Sequence, residues 1–313
     1  LASNYTARAN GKLLLTAEYL VLDGAPALAL PCKYGQSISV YNTLDAQSKV
    51  TCKSIDHRGN TWFTGIFDMD KETVLVTSDN SIASRFLSIL QFLKNNSPSK
   101  FPRKTAVHFT HQIDFDRQWG LGTSSTLIYN MARWAKVDPY DLLEYTFGGS
   151  GYDIACAGAY GPIIYRNNNP SPKFKTVEYA PSYAGQLFFV YLGQKQNSRE
   201  GINNYRSLQN NLKKPHAIAE IEEINDNILA AKNLTDFKEC IREHEDIISN
   251  IIEMPKVKDI YFQDLDGEAK SLGAWGGDFV LLTFEDGEKA LKKYCQLKGF
   301  DIVIPYHQMI LNA

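Results

Sequence analysis

Gly120-Leu121-Gly122-Thr123-Ser124-Ser125-Thr126 joins a strand-like stretch to a helix-periodic one. Glycines without a Cβ let backbone N–H groups close on an anion, and the helix predicted over Ser124–Ala135 aims its positive dipole end at the same point. The hydroxyls of Thr123, Ser124 and Ser125 add hydrogen bonds or ligate a hard cation. A triphosphate with magnesium suits such a loop. The same pattern is also an ordinary tight turn with a helix N-cap, so the loop alone leaves both readings open. The chain has neither G-x-x-x-x-G-K-[ST] nor G-x-G-x-x-G, and neither H-R-D nor D-F-G, which sets aside Walker-type and protein-kinase-type enzymes.

Two further glycine clusters flank predicted element ends. Gly148-Gly149-Ser150-Gly151-Tyr152-Asp153 puts an acid between a glycine turn and the apolar run Ile154–Ala157. Such an acid either accepts a proton from a substrate hydroxyl or caps a helix start. Gly273-Ala274-Trp275-Gly276-Gly277-Asp278 forms the third cluster. Near the N-terminus, Lys12 follows Gly11 at the head of an apolar strand, and Glu18 follows six residues later. A charge entering a strand is ordinarily an exposed strand end.

The frame around these clusters is that of a globular protein. The 313 residues are 44% hydrophobic and 22% charged, which at roughly 150 residues per domain implies about two domains. Lys and Arg number 33 against 35 Asp and Glu, so no excess positive charge is available to hold a nucleic acid. No apolar run reaches the roughly 18 residues of a membrane span, and no basic-then-apolar leader opens the chain. Five scattered cysteines without C-x-x-C or ligand spacing read as free thiols, which places the expected location in the cytoplasm. Strand-like stretches dominate the start (Lys12–Leu15, Leu28–Leu30, Gln36–Tyr41, Lys49–Ser54, Thr61–Phe67). A helix is predicted over Ser81–Asn95, paired strands over Thr105–Phe109 and Gln112–Phe115, and helices over Pro139–Phe147 and much of Ile202–Met254. The Asn- and Pro-rich loop Asn167–Lys173 marks the clearest compositional break, giving domains of 1–175 and 176–313.

Joint arrangement resolves what single motifs leave open. Asn10-Gly11-Lys12-Leu13-Leu14-Leu15-Thr16-Ala17-Glu18-Tyr19-Leu20-Val21-Leu22-Asp23-Gly24 resembles the N-terminal signature of the GHMP small-molecule kinases. Gly120–Thr126 resembles their phosphate loop, and Gly273–Phe279 their C-terminal glycine motif. The three occur in the family's order and cover nearly the whole chain. The Lys12–Asp23 run, Gly149–Ala155 and Gly193–Arg199 are most similar to the mevalonate and phosphomevalonate kinase branch.

The resemblance implies an α+β fold of two domains, a ribosomal protein S5 domain 2-like N-terminal domain and a ferredoxin-like C-terminal domain, with nucleotide and acceptor in a cleft between them. It implies ATP and Mg2+ as cofactors, a small hydroxyl- or phosphate-bearing metabolite as partner, and a monomer or homodimer. Lys12 and Asp153 would be catalytic: Lys12 orients the attacking hydroxyl and lowers its pKa, and Asp153 acts as base or electrostatic partner. Gly120, Leu121, Gly122, Thr123, Ser124 and Ser125 would hold the nucleotide, with Ser124 on the metal. Glu144 is the available second metal ligand, at a shorter spacing to Asp153 than in mevalonate kinases. Glu18, Lys195, Ser198, Arg199, Gly273, Ala274 and Gly276 would line the acceptor, and Arg8 joins Lys195 and Arg199 as a cation for a phosphorylated one. Departures from the family are Asp116-Arg117-Gln118-Trp119 in place of a proline pair, Thr123 for a serine, and Trp275 and Asp278 for glycines. Two rivals stand beside the kinase: an ATP-dependent diphosphomevalonate decarboxylase, against which Lys12 argues, and a non-catalytic binding protein on the same scaffold, for which Trp275 and Asp278 argue.

Overall fold

A computed structural model describes residues 4–168, 172–194, 198–208 and 213–312, the side chains of Ser198 and Arg199 excepted. The chain divides into two compact units, each discontinuous in sequence: residues 1–11, 34–117 and 121–158 form the first, and 12–33, 118–120 and 159–313 the second. This is a different cut from the single break expected after residue 175. Strands β1 (Tyr5–Leu14) and β2 (Ala27–Leu44) each contribute to both units, because the division falls inside them. In β2 the burial pattern changes along the strand: Ala27–Cys32 is buried throughout, whereas Gln36–Leu44 alternates, the signature of a sheet with one covered face.

In the first unit, β3 (Lys49–Ile55), β4 (Thr61–Asp68) and β5 (Thr73–Thr77) form a meander. Helix α1 (Asn80–Asn96) then carries the chain to β6 (Thr105–Ile113), which lies between β3 and β2. The β3–β6 pair is parallel, and the intervening strands and helix supply the long crossover that parallel pairing requires. Asp79 caps α1, accepting from Ser81 N at 2.8 Å and Ile82 N at 3.1 Å. Ala83, Phe86, Ile89, Leu90 and Leu93 then line its buried face against Val50, Phe67 and Phe109. Helices α2 (Thr123–Ala135), α3 (Pro139–Thr146) and α4 (Tyr152–Gly158) complete this core. The two paired strands expected over Thr105–Phe109 and Gln112–Phe115 are one strand, β6, because Thr110 and His111 continue the alternation between them.

In the second unit, Ala27–Ala29 of β2 pairs with β7 (Ile163–Arg166), and β7 with β8 (Lys173–Thr176). A separate antiparallel sheet is built from β9 (Leu187–Tyr191), with α5 (Ser198–Ser207), α6 (Lys214–Ala230), α7 (Leu234–Ile252) and α8 (Val257–Tyr261) following it in the chain. Strands β10 (Ala269–Ser271) and β11 (Phe279–Thr283), helix α9 (Glu288–Leu297), β12 (Val303–Pro305) and the short α10 (Tyr306–Met309) finish the chain, in the sheet order β10-β11-β9-β12. Phe188, Val190, Leu282, Leu291 and Val303 fill its core. Pro215 sits in the first turn of α6, where its missing N–H costs nothing. The five cysteines are free and buried, and among the described residues no helix is long and apolar enough to cross a membrane.

Candidate functional site

In the first unit the second glycine of the phosphate-loop candidate, Gly122, stands in the left-handed region at φ 94° and leads straight into α2. No side chain caps the helix, and its first N–H groups lack intrahelical partners. Ser124 is exposed on the first turn and Thr123 half-buried. Ser125 behaves differently from the expectation that its hydroxyl holds nucleotide: it is buried and Oγ donates to Gly122 O at 3.0 Å. Thr126 Oγ1 also reaches Gly122 O, at 2.9 Å. These two bonds fix the carbonyl at the loop's end and leave Ser124 as the hydroxyl on its open side. Gly11 fits beneath the loop because it has no side chain; a Cβ there would lie 2.9 Å from Leu121 O.

Asp153 stands in the first turn of α4, half-buried, after Gly151 at φ 83°. Its Oδ1 accepts from the next residue's N–H, Ile154 N, at 3.1 Å. Its charge also reaches Tyr140 on α3: burial first, and Asp153 next, push that phenol well above its ordinary value. Glu144 is exposed on α3, and among the described residues no three His, Cys, Asp or Glu side chains gather into a metal cluster. Arg8 is committed to Asp114, with Nη2 2.5 Å from Oδ2, while Asp114 Oδ1 accepts from Gly35 N at 2.6 Å. Arg8 is therefore an exposed arginine in an ion pair.

The second unit brings three other motifs together at Tyr19. Its hydroxyl donates to Ala274 O at 3.0 Å, and its ring lies 5.4 Å from that of Tyr205 on α5. Gly201, also on α5, meets Tyr19 so closely that a Cβ would fall 2.5 Å from the hydroxyl. The N-terminal motif, the helix that begins at Ser198 and the Gly273–Asp278 loop therefore converge. Lys195 lies outside the described residues, as do the side chains of Ser198 and Arg199. Lys12 is half-buried on β1.

Glu18 does not stand open to a ligand, contrary to its expected acceptor-lining role. It is completely buried, and Lys270 Nζ donates to its Oε1. Lys270, itself fully buried, also lies 3.1 Å from Glu245 Oε1 and donates to Ser271 O at 2.5 Å. His244 Nε2 accepts the Ala17 N–H at 2.9 Å, so the ring's hydrogen resides on Nδ1. Two carboxylates thus share one ammonium away from water. Desolvation raises the Glu18 carboxyl to about 7, against the attraction of Lys270, and burial pushes His244 far below its usual range. Lys270, His244 and Glu245 were not anticipated from sequence. For the two on α7 the available signal was periodicity: His244 and Glu245 continue the stripe Phe237, Cys240, Ile241, Ile248, Ile251 at positions otherwise apolar.

In the third motif, Trp275 and Asp278 stand at φ 52° and 47°, keeping the left-handed backbone that glycine would favour. Trp275 is buried, and its Nε1 donates to Pro255 O at 3.1 Å, so the indole packs inward instead of crowding the loop. Asp278 is turned toward Gly120, where a Cβ would lie 2.2 Å from Oδ2.

No family model matches the chain, and no curated protein matches it in sequence. Solved structures do. A Methanococcus jannaschii mevalonate kinase superposes with a TM-score of 0.70 at 19% identity, covering 97% of this chain and 98% of that one. A Streptococcus pneumoniae phosphomevalonate kinase, in complex with phosphomevalonate and AMPPNP, gives 0.67 at 15%, covering 95% and 98%. A Lactococcus lactis galactokinase complexed with galactose gives 0.70 at 13%, covering 99% and 95%. The chain therefore has the two-domain α+β fold of the GHMP kinases, as its three glycine motifs imply.

Proposed function

We propose that this chain is a GHMP-type small-molecule kinase that transfers the terminal phosphoryl group of ATP to a small alcohol or phosphate monoester, with mevalonate and phosphomevalonate the leading acceptors. The observation that carries the reading is the uncapped start of α2, reached through Gly122 at φ 94°, with Ser124 exposed on its first turn. Such a terminus offers N–H donors and a positive dipole to phosphate oxygens.

The chemistry asked of the protein is positioning and charge stabilisation. The first amides of α2 hold the phosphates. Asp153, held at the head of α4 by its contact with Ile154 N, accepts the acceptor hydroxyl's proton. The Lys12 ammonium stabilises negative charge developing on the attacking oxygen. Mg2+ carried on the nucleotide supplies charge neutralisation when bound. The donor set fits it, since a nucleotide-borne magnesium needs few protein ligands and the exposed oxygens of Ser124 and Glu144 are hard donors of the right kind.

An ADP-release assay across mevalonate, phosphomevalonate, homoserine and galactose tests the proposal. Turnover with one acceptor is expected, and absence of any Mg-ATP binding by titration would sink it. A non-catalytic binding protein is the second reading, favoured by the Asp278 carboxylate beside Gly120, a negative charge at the edge of a loop meant for phosphate. Nucleotide binding without turnover on any acceptor would select it. Carbon dioxide release from diphosphomevalonate would select the decarboxylase.

A further inference from the structure

Four residues with side chains hold left-handed backbone at two turns of the second unit: Ala17 at φ 65°, Tyr19 at 63°, Trp275 at 52° and Asp278 at 47°. Such conformations persist only where the surroundings over-determine them. The two turns share one set of restraints. Behind the first is Glu18; just before the second, on β10, is Lys270; and the two are joined by a buried hydrogen bond. Lys270 Nζ lies 5.6 Å from the centre of the Trp275 ring, so the same ammonium backs the loop directly. Helix α7 contributes the remaining groups: Glu245, 3.1 Å from Nζ and accepting from Ser271 Oγ at 3.2 Å, and His244, which takes the Ala17 N–H at 2.9 Å. On the outer side, Tyr19 Oη to Ala274 O closes the link at 3.0 Å.

We propose that Lys270 is a positioning residue which, through Glu18 and Glu245, locks the Ala17–Tyr19 turn and the Gly273–Asp278 loop into one cooperative unit, so that ligand affinity at that loop is set by the buried charges behind it. A buried ion cluster is weak evidence for stability, since well-packed neutral groups often serve as well, but it specifies a geometry that an apolar plug does not. Glu18 thus acts on a ligand through the backbone it holds rather than by touching it. The statement about affinity rests on the kinase reading; the statement about backbone does not.

Native-state hydrogen exchange on the full chain tests it, using the Ala17 amide, held by His244, and the Asp278 amide, held by Gln194 O at 2.6 Å. In the wild-type protein the two are expected to open with one free energy and one denaturant dependence. Opening of Asp278 at a rate more than about tenfold apart from Ala17, with a different dependence, overturns the proposal. In the variant Glu18→Gln/Lys270→Met, which removes one charge of each sign and takes the ammonium from Glu245, both amides are expected to exchange about tenfold faster or more, with Val190 and Leu281 unchanged. Unchanged exchange at Asp278, or equal acceleration throughout the unit, overturns it. Should the variant fail to fold, the wild-type comparison decides. If the protein turns over an acceptor, the variant raises KM while keeping kcat within about threefold; a wild-type KM removes the affinity half. If it binds no nucleotide, the kinase reading falls and the exchange result still stands.

Discussion

Replacing Glu18 by glutamine should make the protein more resistant to rising pH than the wild type. The magnitude follows from the competition within the buried cluster. Lys270 attracts both Glu18 and Glu245, but complete burial of Glu18 and the like charge of Glu245 oppose ionisation, and desolvation is the largest of these effects. The carboxyl rises from 4.5 to about 7. In the unfolded chain it ionises near its ordinary value, so between these two pH values the native state binds more protons. Stability therefore falls as pH rises through this window and levels off above it. At about 1.36 kcal/mol per pH unit between the two values, the loss amounts to about 3 kcal/mol.

The substituted amide keeps the shape of the side chain and an acceptor oxygen for Lys270 without the ionisation, leaving Lys270 and Glu245 as a neutral pair. Urea unfolding of both proteins from pH 4.5 to 8 is the assay, and the informative quantity is the difference between them at each pH. A buried histidine remote from the cluster, such as His111, contributes to both curves alike. The variant's advantage should grow by about 3 kcal/mol across the range. A difference flat to within about 1 kcal/mol would refute the reasoning. A difference of opposite slope would mean that Lys270 outweighs desolvation and holds the carboxyl below its usual range.

His111 lies in the first unit's core against Phe86 and Phe109, and burial pushes it down to about 3. The unfolded chain takes up a proton near 6.5 while the native state does not, so stability falls as pH drops below 6.5; His111→Phe should remove about 4 kcal/mol of that loss by pH 3.5 in acid unfolding. Asp153→Asn and Lys12→Ala should each lower kcat by about 100-fold or more with an unchanged circular dichroism spectrum, and near-normal turnover in either would refute its assigned role. Gly120→Ala places a Cβ 2.2 Å from Asp278 Oδ2 at φ 66° and should cost about 2 kcal/mol or more in thermal unfolding, with partial recovery in Gly120→Ala/Asp278→Gly. Arg8→Ala should change stability by less than about 1 kcal/mol, because the pair with Asp114 is exposed on both sides.

Local chemistry made much of the fold legible. The helical spacing of Ile82, Phe86, Ile89, Leu90 and Leu93 announces α1 to within a residue of its start, and Pro215 announces α6, because periodicity and proline act over neighbouring turns. β5 and β8 were not legible: they are short, exposed edge strands, and their burial patterns carry no clean alternation for a period to be read from. The expected break after residue 175 and the observed units differ for a related reason. β1 and β2 are each shared between the units, and nothing in a strand's own residues records which neighbours it pairs with.

The candidate site divides along the same line. The loop amides, Ser124 and Asp153 are backbone-and-neighbour features, so their motifs mark them as candidates. Glu18 is different, because the motif marks the residue but not what it does. Its partners lie at positions 244, 245 and 270, and the sequence presents them as a charged helix and a charged strand, where solvent exposure is the ordinary expectation. On α7, only their spacing on an apolar stripe separates them from surface charges. A motif residue that is polar by type and buried by position needs partners of opposite charge nearby. For a chain with these glycine motifs, charged residues that interrupt an apolar helical stripe are therefore the first place to look for the groups that hold a glycine-rich loop in its path. Here that search leads from Glu245 to Lys270, and from Lys270 to Trp275, whose indole points inward onto Pro255 and leaves the loop uncrowded by its bulk.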